Sequence, residues 1–337
     1  MLAEQFGYEV GILVLNRADQ NPFYNFSKEI KFYSIDVGGN PLAYIKTYKS
    51  GIQKVVDGFQ PDVISVCDDG LKGFFIPKFL KTTAKLVYER HASKLIEAKK
   101  KGDFGKKIII RSKWFLMERL ASSFKYFVVL TDGNKNEWPR LKNLKVVPNP
   151  ISFRSEESST LENKIVICVA KIMYQKGQDL LIKVWEKVHS KFPDWELHLY
   201  GKERPEFMDI RNLNNNIYWF PPEKNIQQKY LESSIYALSS RSEGFGMVLI
   251  EAMECGLPCV SFDCNWGPSD IIKEGEDGFL VEKENTDQFA EKLMQLMADS
   301  DLRKEMGKKA KENVKRYSAE KIVEIWDKLF RDLKTEN

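Results

Sequence analysis

The second half of this chain alternates short apolar runs with helical patterns, and that alternation limits its fold more than any other feature. The runs are KIVICVA (164–170), ELHLYG (196–201), NIYWF (216–220), IYALSS (235–240), the segment around Cys259–Phe262, and GFLV (278–281). Between two of them, Gln178–Ser190 places Leu180, Leu181, Val184, Trp185 and Val188 on one helical face. Asn225–Glu232 is a second helical pattern. Short continuous apolar strands are buried on both faces, and strands separated by helices pair in parallel through crossovers. The first half repeats the theme at Glu9–Asn16, Ile30–Val37, Asp62–Cys67, KLVY within Leu80–Tyr88, and Phe124–Thr131, with a helical pattern over Tyr44–Phe59. The expected class is α/β: two Rossmann-like domains, each a parallel sheet flanked by helices, with a cleft between them.

A length of 337 residues fits two domains. VVPNP (146–150) followed by SEESSTLEN (155–163) reads as an interdomain linker, which gives domains at 1–150 and 151–317. Thr286 is the expected cap of one late helix. The last helix, Ser318–Leu333, carries a stripe of Ile322, Ile325, Trp326 and Leu329, and 318–337 is expected to pack back toward the first domain. No run approaches the roughly 18 apolar residues of a membrane span, and a cytoplasmic protein is expected. The five cysteines, Cys67, Cys168, Cys255, Cys259 and Cys264, sit mostly in apolar settings at no common zinc spacing. They are expected to be buried free thiols, with no metal site and no disulfide.

The net charge of +4 hides an asymmetry. Residues 1–150 hold 25 Lys and Arg against 15 Asp and Glu, and the remainder 27 against 33. Ten basic and three acidic residues lie between Lys94 and Lys125, near Trp114, Phe115, Phe124, Tyr126 and Phe127. Two readings fit: a peripheral anionic membrane surface, or a solvated helix face beside a buried strand. A nucleic-acid partner is not expected, because no recognised module accompanies the charge.

The first domain is also expected to be short at its start. A doubly wound domain has a central first strand followed by a ligand-binding turn. Met1 already falls in the helix after such a turn, so that strand is expected to be absent from this sequence, through a start codon placed too late, truncation to a pseudoenzyme, or an unusually short domain.

The segment Ser239–Asp270, SSRSEGFGMVLIEAMECGLPCVSFDCNWGPSD, carries the chemistry. It reads as strand end, glycine loop, amphipathic helix, second strand and a Gly-Pro turn. Gly244 and Gly246 let a ligand approach the backbone closely. The amides of Gly246, Met247 and Val248 lie where a helix start favours phosphate. Glu243 precedes the loop, and Glu251 follows eight positions later.

Together with VAKIMYQKGQDLLI (169–182), LYG (199–201), EDGFLV (276–281) and VVPNPI (146–151), this segment resembles the family 4 glycosyltransferases, retaining enzymes of the two-domain GT-B fold. The match runs in family order over roughly residues 163–300. The resemblance implies that Glu243 accepts hydrogen bonds from the transferred sugar and that Glu251 holds the ribose hydroxyls. It implies that Lys171 and Lys176 stabilise the departing diphosphate, with Gly201, Gly244, Gly246, Met247 and Val248 lining the nucleotide-sugar site. Lys171 stands where the family more often has Arg, which loses a bidentate fork. His91, after a first-domain strand, matches a histidine near the reacting carbon; a loop histidine without a role is the competing reading. Neither metal nor other cofactor is implied. The function implied is transfer of a hexose or N-acetylhexosamine from a nucleotide diphosphate, a UDP-sugar by likeness of the Gly-Pro turn, to a saccharide hydroxyl, lipid-linked, in cell-surface polysaccharide synthesis. An inactive scaffold in a polysaccharide-synthesis complex is the alternative.

Overall fold

The computed structural model describes residues 1–16, 26–68, 70–94, 104–204, 207 and 213–335, with backbone alone for 104–108. The first domain contributes strands β1 (Gly11–Leu15), β2 (Lys31–Ile35), β3 (Val63–Cys67), β4 (Lys85–Arg90), β5 (Tyr126–Val129) and β6 (Leu144–Val146). The second contributes β7 (Ile165–Val169), β8 (Glu196–Tyr200), β9 (Ile217–Phe220), β10 (Ile235–Leu238), β11 (Cys259–Phe262) and β12 (Gly278–Val281). Every pairing is parallel.

The second sheet has the order β12-β11-β10-β7-β8-β9. The strand order reverses between β7 and β10, and the crevice outside the carboxyl ends at such a point is where open α/β sheets bind ligands. The sheet is covered on both sides, as its apolar runs require. Val166, Cys168, Ile235, Ala237, Val260 and Phe262 face one cluster with the helices Gln178–His189 and Thr286–Ala298. Ile167, Tyr236, Leu238 and Cys259 face the other, with Leu249, Ile250 and Met253 of the helix Met247–Glu254. The helix Thr286–Ala298 is capped by Asn285, whose side chain accepts from the Gln288 amide, and not by Thr286, its first helical residue. An Asn here captures an otherwise orphan donor equally well.

The first domain holds two separate sheets, β1-β2 and β3-β4-β5-β6. No ladder among the described residues joins β1 to β3, although Leu13, Leu15, Ile64 and Val66 share one apolar cluster under the helix Pro41–Phe59. Both facing edges are less buried than the central strands of the second sheet, where β10 and β11 are buried throughout. β6 was not expected from the sequence as a strand of its own. The basic segment forms the helix Phe104–Ala121, while residues 95–103 of it lie outside the described residues.

The two domains are bound by more than the Pro148–Pro150 crossing. Residues expected to form a linker instead lie on the second domain: the Ser155 amide donates to Glu254, the Ser159 amide donates to the Cys255 carbonyl, and Leu161 is buried. Polar residues form this segment because its contacts are hydrogen bonds to the end of the helix Met247–Glu254. The final helix, Ala319–Thr335, returns to the first domain and buries Ile322, Leu329 and Leu333 against Val87 and Val128. Fully burying such side chains contributes about 1.5–3 kcal/mol each. Ile325 of the expected stripe stays 40% exposed. The outgoing and returning crossings touch, since the Ile151 amide donates to the Tyr317 carbonyl at 2.9 Å.

Candidate active site

The loops after β7 and β10, neighbours at the reversal of strand order, bring the central residues together. Lys176 ends a single 3-10 turn, Tyr174–Lys176, and Gly177 follows at φ 66. A side chain at Gly177 would place its Cβ 2.0 Å from the Ser239 carbonyl oxygen, so the turn can pack against the second loop only as glycine. Ser239 Oγ donates to the Lys176 carbonyl at 3.0 Å, and the Arg241 amide donates to the Gln175 carbonyl at 2.7 Å.

Lys176 Nζ donates to both carboxylate oxygens of Glu243, at 2.7 and 2.9 Å. Glu243 is 5% exposed and also accepts from Ser240 Oγ at 2.5 Å. The carboxylate is thus buried with a cation and a hydroxyl as its donors. Glu251, one turn into the helix that starts after Gly246, has different partners. It accepts from Ser152 Oγ at 2.6 Å and from Tyr230 Oη at 3.3 Å. Loss of solvent around Glu251 raises its pKa, partly opposed by those two donors. Met247 and Val248 form the first turn of that helix, where backbone amides have no intrahelical acceptor.

Lys171 is exposed just beyond β7. Gly201, just beyond β8, has the Ala170 carbonyl oxygen 2.0 Å from where its Cβ would sit, so close backbone packing demands glycine there. His91 is brought to the site from the other domain. Its carbonyl lies 2.6 Å from where a Cβ on Gly244 would project, and Gly244 is the residue after Glu243. The imidazole Nε2 stands 3.4 Å from Glu89 Oε2. Its pKa is pushed up to about 10, first by a hydrogen bond with the Cys67 sulfur and then by Glu89, against a smaller effect of burial. A second bridge between the domains joins the Gly133 amide to Asp270 Oδ1 at 3.3 Å, beside Trp266.

Several participants were not legible in the motifs. Arg241 is buried and grips Asp179 through two hydrogen bonds of 2.8 and 2.6 Å, while also donating to the Tyr174 carbonyl at 2.6 Å. It thereby fixes the Lys176 turn to the Glu243 loop. Ser152 and Tyr230, the partners of Glu251, lie far from it in sequence. Cys67 is exposed, contrary to the expectation of a buried thiol, because it ends β3, which pairs only with β4 among the described residues; the other four cysteines are buried.

Residues 151–313 match the family described as Glycosyl transferases group 1. An uncharacterized glycosyltransferase of Haemophilus influenzae is 28% identical over 96% of this chain and 91% of its own length. The amylovoran biosynthesis glycosyltransferase AmsD of Erwinia amylovora is 34% identical over 60% of this chain and 61% of its own. Among solved structures, sucrose-phosphate synthase from Thermosynechococcus elongatus superposes with a TM-score of 0.81 at 16% identity, over 98% of this chain and 90% of that one. An S. aureus TarM variant in complex with UDP gives 0.69 at 25% identity, over 84% and 58%. The fold is the GT-B arrangement expected.

Proposed function

Residues 151–313 form a glycosyl transferases group 1 domain, and from that premise we propose that the chain is a retaining hexosyltransferase of the family 4 type. It transfers a hexose or N-acetylhexosamine from a UDP-sugar to a saccharide hydroxyl. The observation that carries this reading is the convergence, at one reversal of strand order, of Lys176, Glu243 and the helix start at Met247, with Glu251 on the next turns.

Glu251 holds the two ribose hydroxyls, which a carboxylate accepts as a pair. Lys176, Lys171 and the amides at 246–248 take the charge that develops on the diphosphate as the glycosyl bond breaks. Glu243 accepts from hydroxyls of the transferred sugar. His91 carries a proton at neutral pH, so it does not serve as general base; it orients the acceptor or donor as a cation. The departing diphosphate takes the acceptor's proton. No metal or other cofactor enters this scheme.

UDP is favoured as the donor's nucleotide because the TarM variant among the solved relatives was determined with UDP. A cell-surface saccharide acceptor is favoured by the relative named for amylovoran biosynthesis. A lipid-linked acceptor at an anionic membrane surface fits the helix Phe104–Ala121. It exposes Ile109 and Phe115 beside Arg111 and Arg119, and the Arg140 guanidinium lies over Phe115. No described helix is long and apolar enough to cross a membrane, and the proposal places the protein peripherally on the cytoplasmic face. Calorimetry with UDP, GDP and ADP tests the reading. UDP is expected to bind most tightly, and failure of all three to bind would remove the transferase assignment.

A further inference from the structure

Trp266 lies in the seam between the domains, in the turn that follows β11, and neither core accounts for it. Its backbone is left-handed, with φ 64, a conformation that suits glycine. Among the described residues other than glycine with positive φ, it is the only aromatic one. No core packing offsets that strain, because Trp266 belongs to none of the apolar clusters of either domain. Strain of this kind persists where the surroundings over-determine a residue, and it concentrates at ligand sites.

The indole N–H is the second anomaly. Nε1 of Trp266 is buried and has no hydrogen-bond partner among the described residues. A buried tryptophan N–H ordinarily finds an acceptor. In the same domain Trp185 Nε1 donates to the Asn215 carbonyl at 2.8 Å, and Trp219 Nε1 to the Gly201 carbonyl at 3.0 Å. Trp138 Nε1 also lacks an acceptor, but that ring is wholly enclosed in the first-domain core. Trp266 is only half-buried, so a molecule in the cleft can reach its ring.

Its neighbours belong to both halves of the candidate site. The ring lies against Gly133 of the first domain, where a Cβ would sit 2.5 Å from Trp266 Cε3. Asp270 accepts from the Gly133 amide at 3.3 Å and from the Gly267 amide at 3.2 Å, which holds the turn against the first domain. Gly267, next in the chain, packs directly under the Phe245 carbonyl, in the loop that carries Glu243. An aromatic ring with an unspent donor between two domains is matched by a pyranose, which offers an apolar C–H face and a ring of hydroxyl acceptors. We propose that Trp266 is the saccharide-contacting residue of the cleft: its N–H donates to a sugar hydroxyl and its ring covers the sugar's apolar face. The sugar is either the one being transferred or the acceptor; both present the same chemistry, and the test separates them. The inference rests on the transferase reading above and adds to it the residue that feels the sugar.

The test compares the intact chain with Trp266→Phe, which keeps a ring and loses the donor, and with Trp266→Gly, which also relieves the backbone. Calorimetry uses UDP, UDP-glucose, UDP-galactose and UDP-N-acetylglucosamine. Trp266→Phe is expected to leave UDP affinity unchanged and to weaken the preferred UDP-sugar about tenfold, the scale of one hydrogen bond. That result assigns the contact to the transferred sugar. Unchanged UDP-sugar affinity with KM for extracted lipid-linked saccharides raised about tenfold assigns it to the acceptor. Trp266→Gly should melt at or above the native temperature while the same sugar-dependent readout falls further, whereas a merely structural tryptophan would lower the melting temperature. Native UDP-sugar affinity together with native acceptor KM in folded Trp266→Phe overturns the proposal. If the native chain binds no nucleotide, the transferase reading falls by itself. The emission lost in Trp266→Phe is then followed during titration with glucose, galactose and N-acetylglucosamine, and no change with any of them overturns the proposal as well.

Discussion

Lys176 Nζ lies 2.7 and 2.9 Å from the two carboxylate oxygens of Glu243, residues that stand 67 positions apart in the chain. Each satisfies the other before any ligand arrives. In the proposed reaction both exchange partners on donor binding, Lys176 for phosphate and Glu243 for sugar hydroxyls, so neither charge is left uncompensated. In the proposed reaction the pair serves as a preformed half of the donor site.

Separate substitutions should divide the roles of the two glutamates. Glu251→Ala is expected to weaken UDP affinity about 10–100-fold, since it removes a charge-assisted contact of roughly 1.5–3 kcal/mol. It also leaves the buried Tyr230 hydroxyl without its acceptor. Glu243→Ala should leave UDP affinity within a few-fold and reduce turnover of a UDP-sugar. Calorimetry and steady-state kinetics check both, and an equal loss of affinity in the two variants would mean the division is wrong.

Arg241 holds the Lys176 turn in place through the Tyr174 carbonyl and Asp179. Arg241→Ala removes a buried guanidinium from its bidentate pair with the partly exposed Asp179 and is expected to destabilise the protein by about 1.5–3 kcal/mol. Arg241→Lys keeps the charge but not the fork, and should retain most of the stability while weakening UDP binding about tenfold. Urea unfolding beside calorimetry distinguishes the two effects. Arg241→Lys with wild-type affinity would show that the grip does not position Lys176.

Gly244→Ala probes the contact between domains. Its new methyl group would lie 2.6 Å from the His91 carbonyl oxygen, too close to be absorbed by a side-chain movement. The domains must separate, at a cost of about 1–3 kcal/mol. Small-angle scattering should show a larger radius of gyration in a folded protein, with turnover reduced. An unchanged radius and full activity would show the contact is not maintained in solution.

His91 should remain an imidazolium at neutral pH, its pKa pushed up to about 10 mainly by the Cys67 sulfur and next by Glu89. The folded value lies above the ordinary 6.5, so the stabilisation is fully present below about pH 6.5 and is lost as pH rises toward 10. The melting temperature of His91→Gln, compared with wild type, should show a gap that closes across that interval. NMR of the His91 ring should report a midpoint well above the ordinary value, lowered by Cys67→Ser more than by Glu89→Gln. A midpoint near 6.5 would refute it.

The second domain was legible because both faces of its sheet are covered, so strands such as KIVICVA and IYALSS are apolar without interruption. Glu243 and Glu251 were legible for a similar reason: a strand, a glycine loop and a helix follow each other directly. The Lys176–Glu243 pair and the Arg241–Asp179 grip were not, because they depend on β7 and β10 lying side by side, which no local pattern records. β6 is only three residues long and offers no periodicity. Cys67 was misjudged because an apolar run precedes it, while β3, which it ends, pairs only with β4 among the described residues.

The hydrogen bond from Ile151 to Tyr317 has a mechanical consequence. The chain passes between the domains twice, outward at Pro148–Ile151 and back at Tyr317–Ser318, and this bond ties the two passages together at 2.9 Å. A single tether would allow one domain to twist, slide and tilt freely against the other. Two tethers pinned side by side leave rotation about one short axis as the soft motion. Any opening of the cleft is then a door on a single pin, and it moves Gly244 and His91 apart along one defined arc.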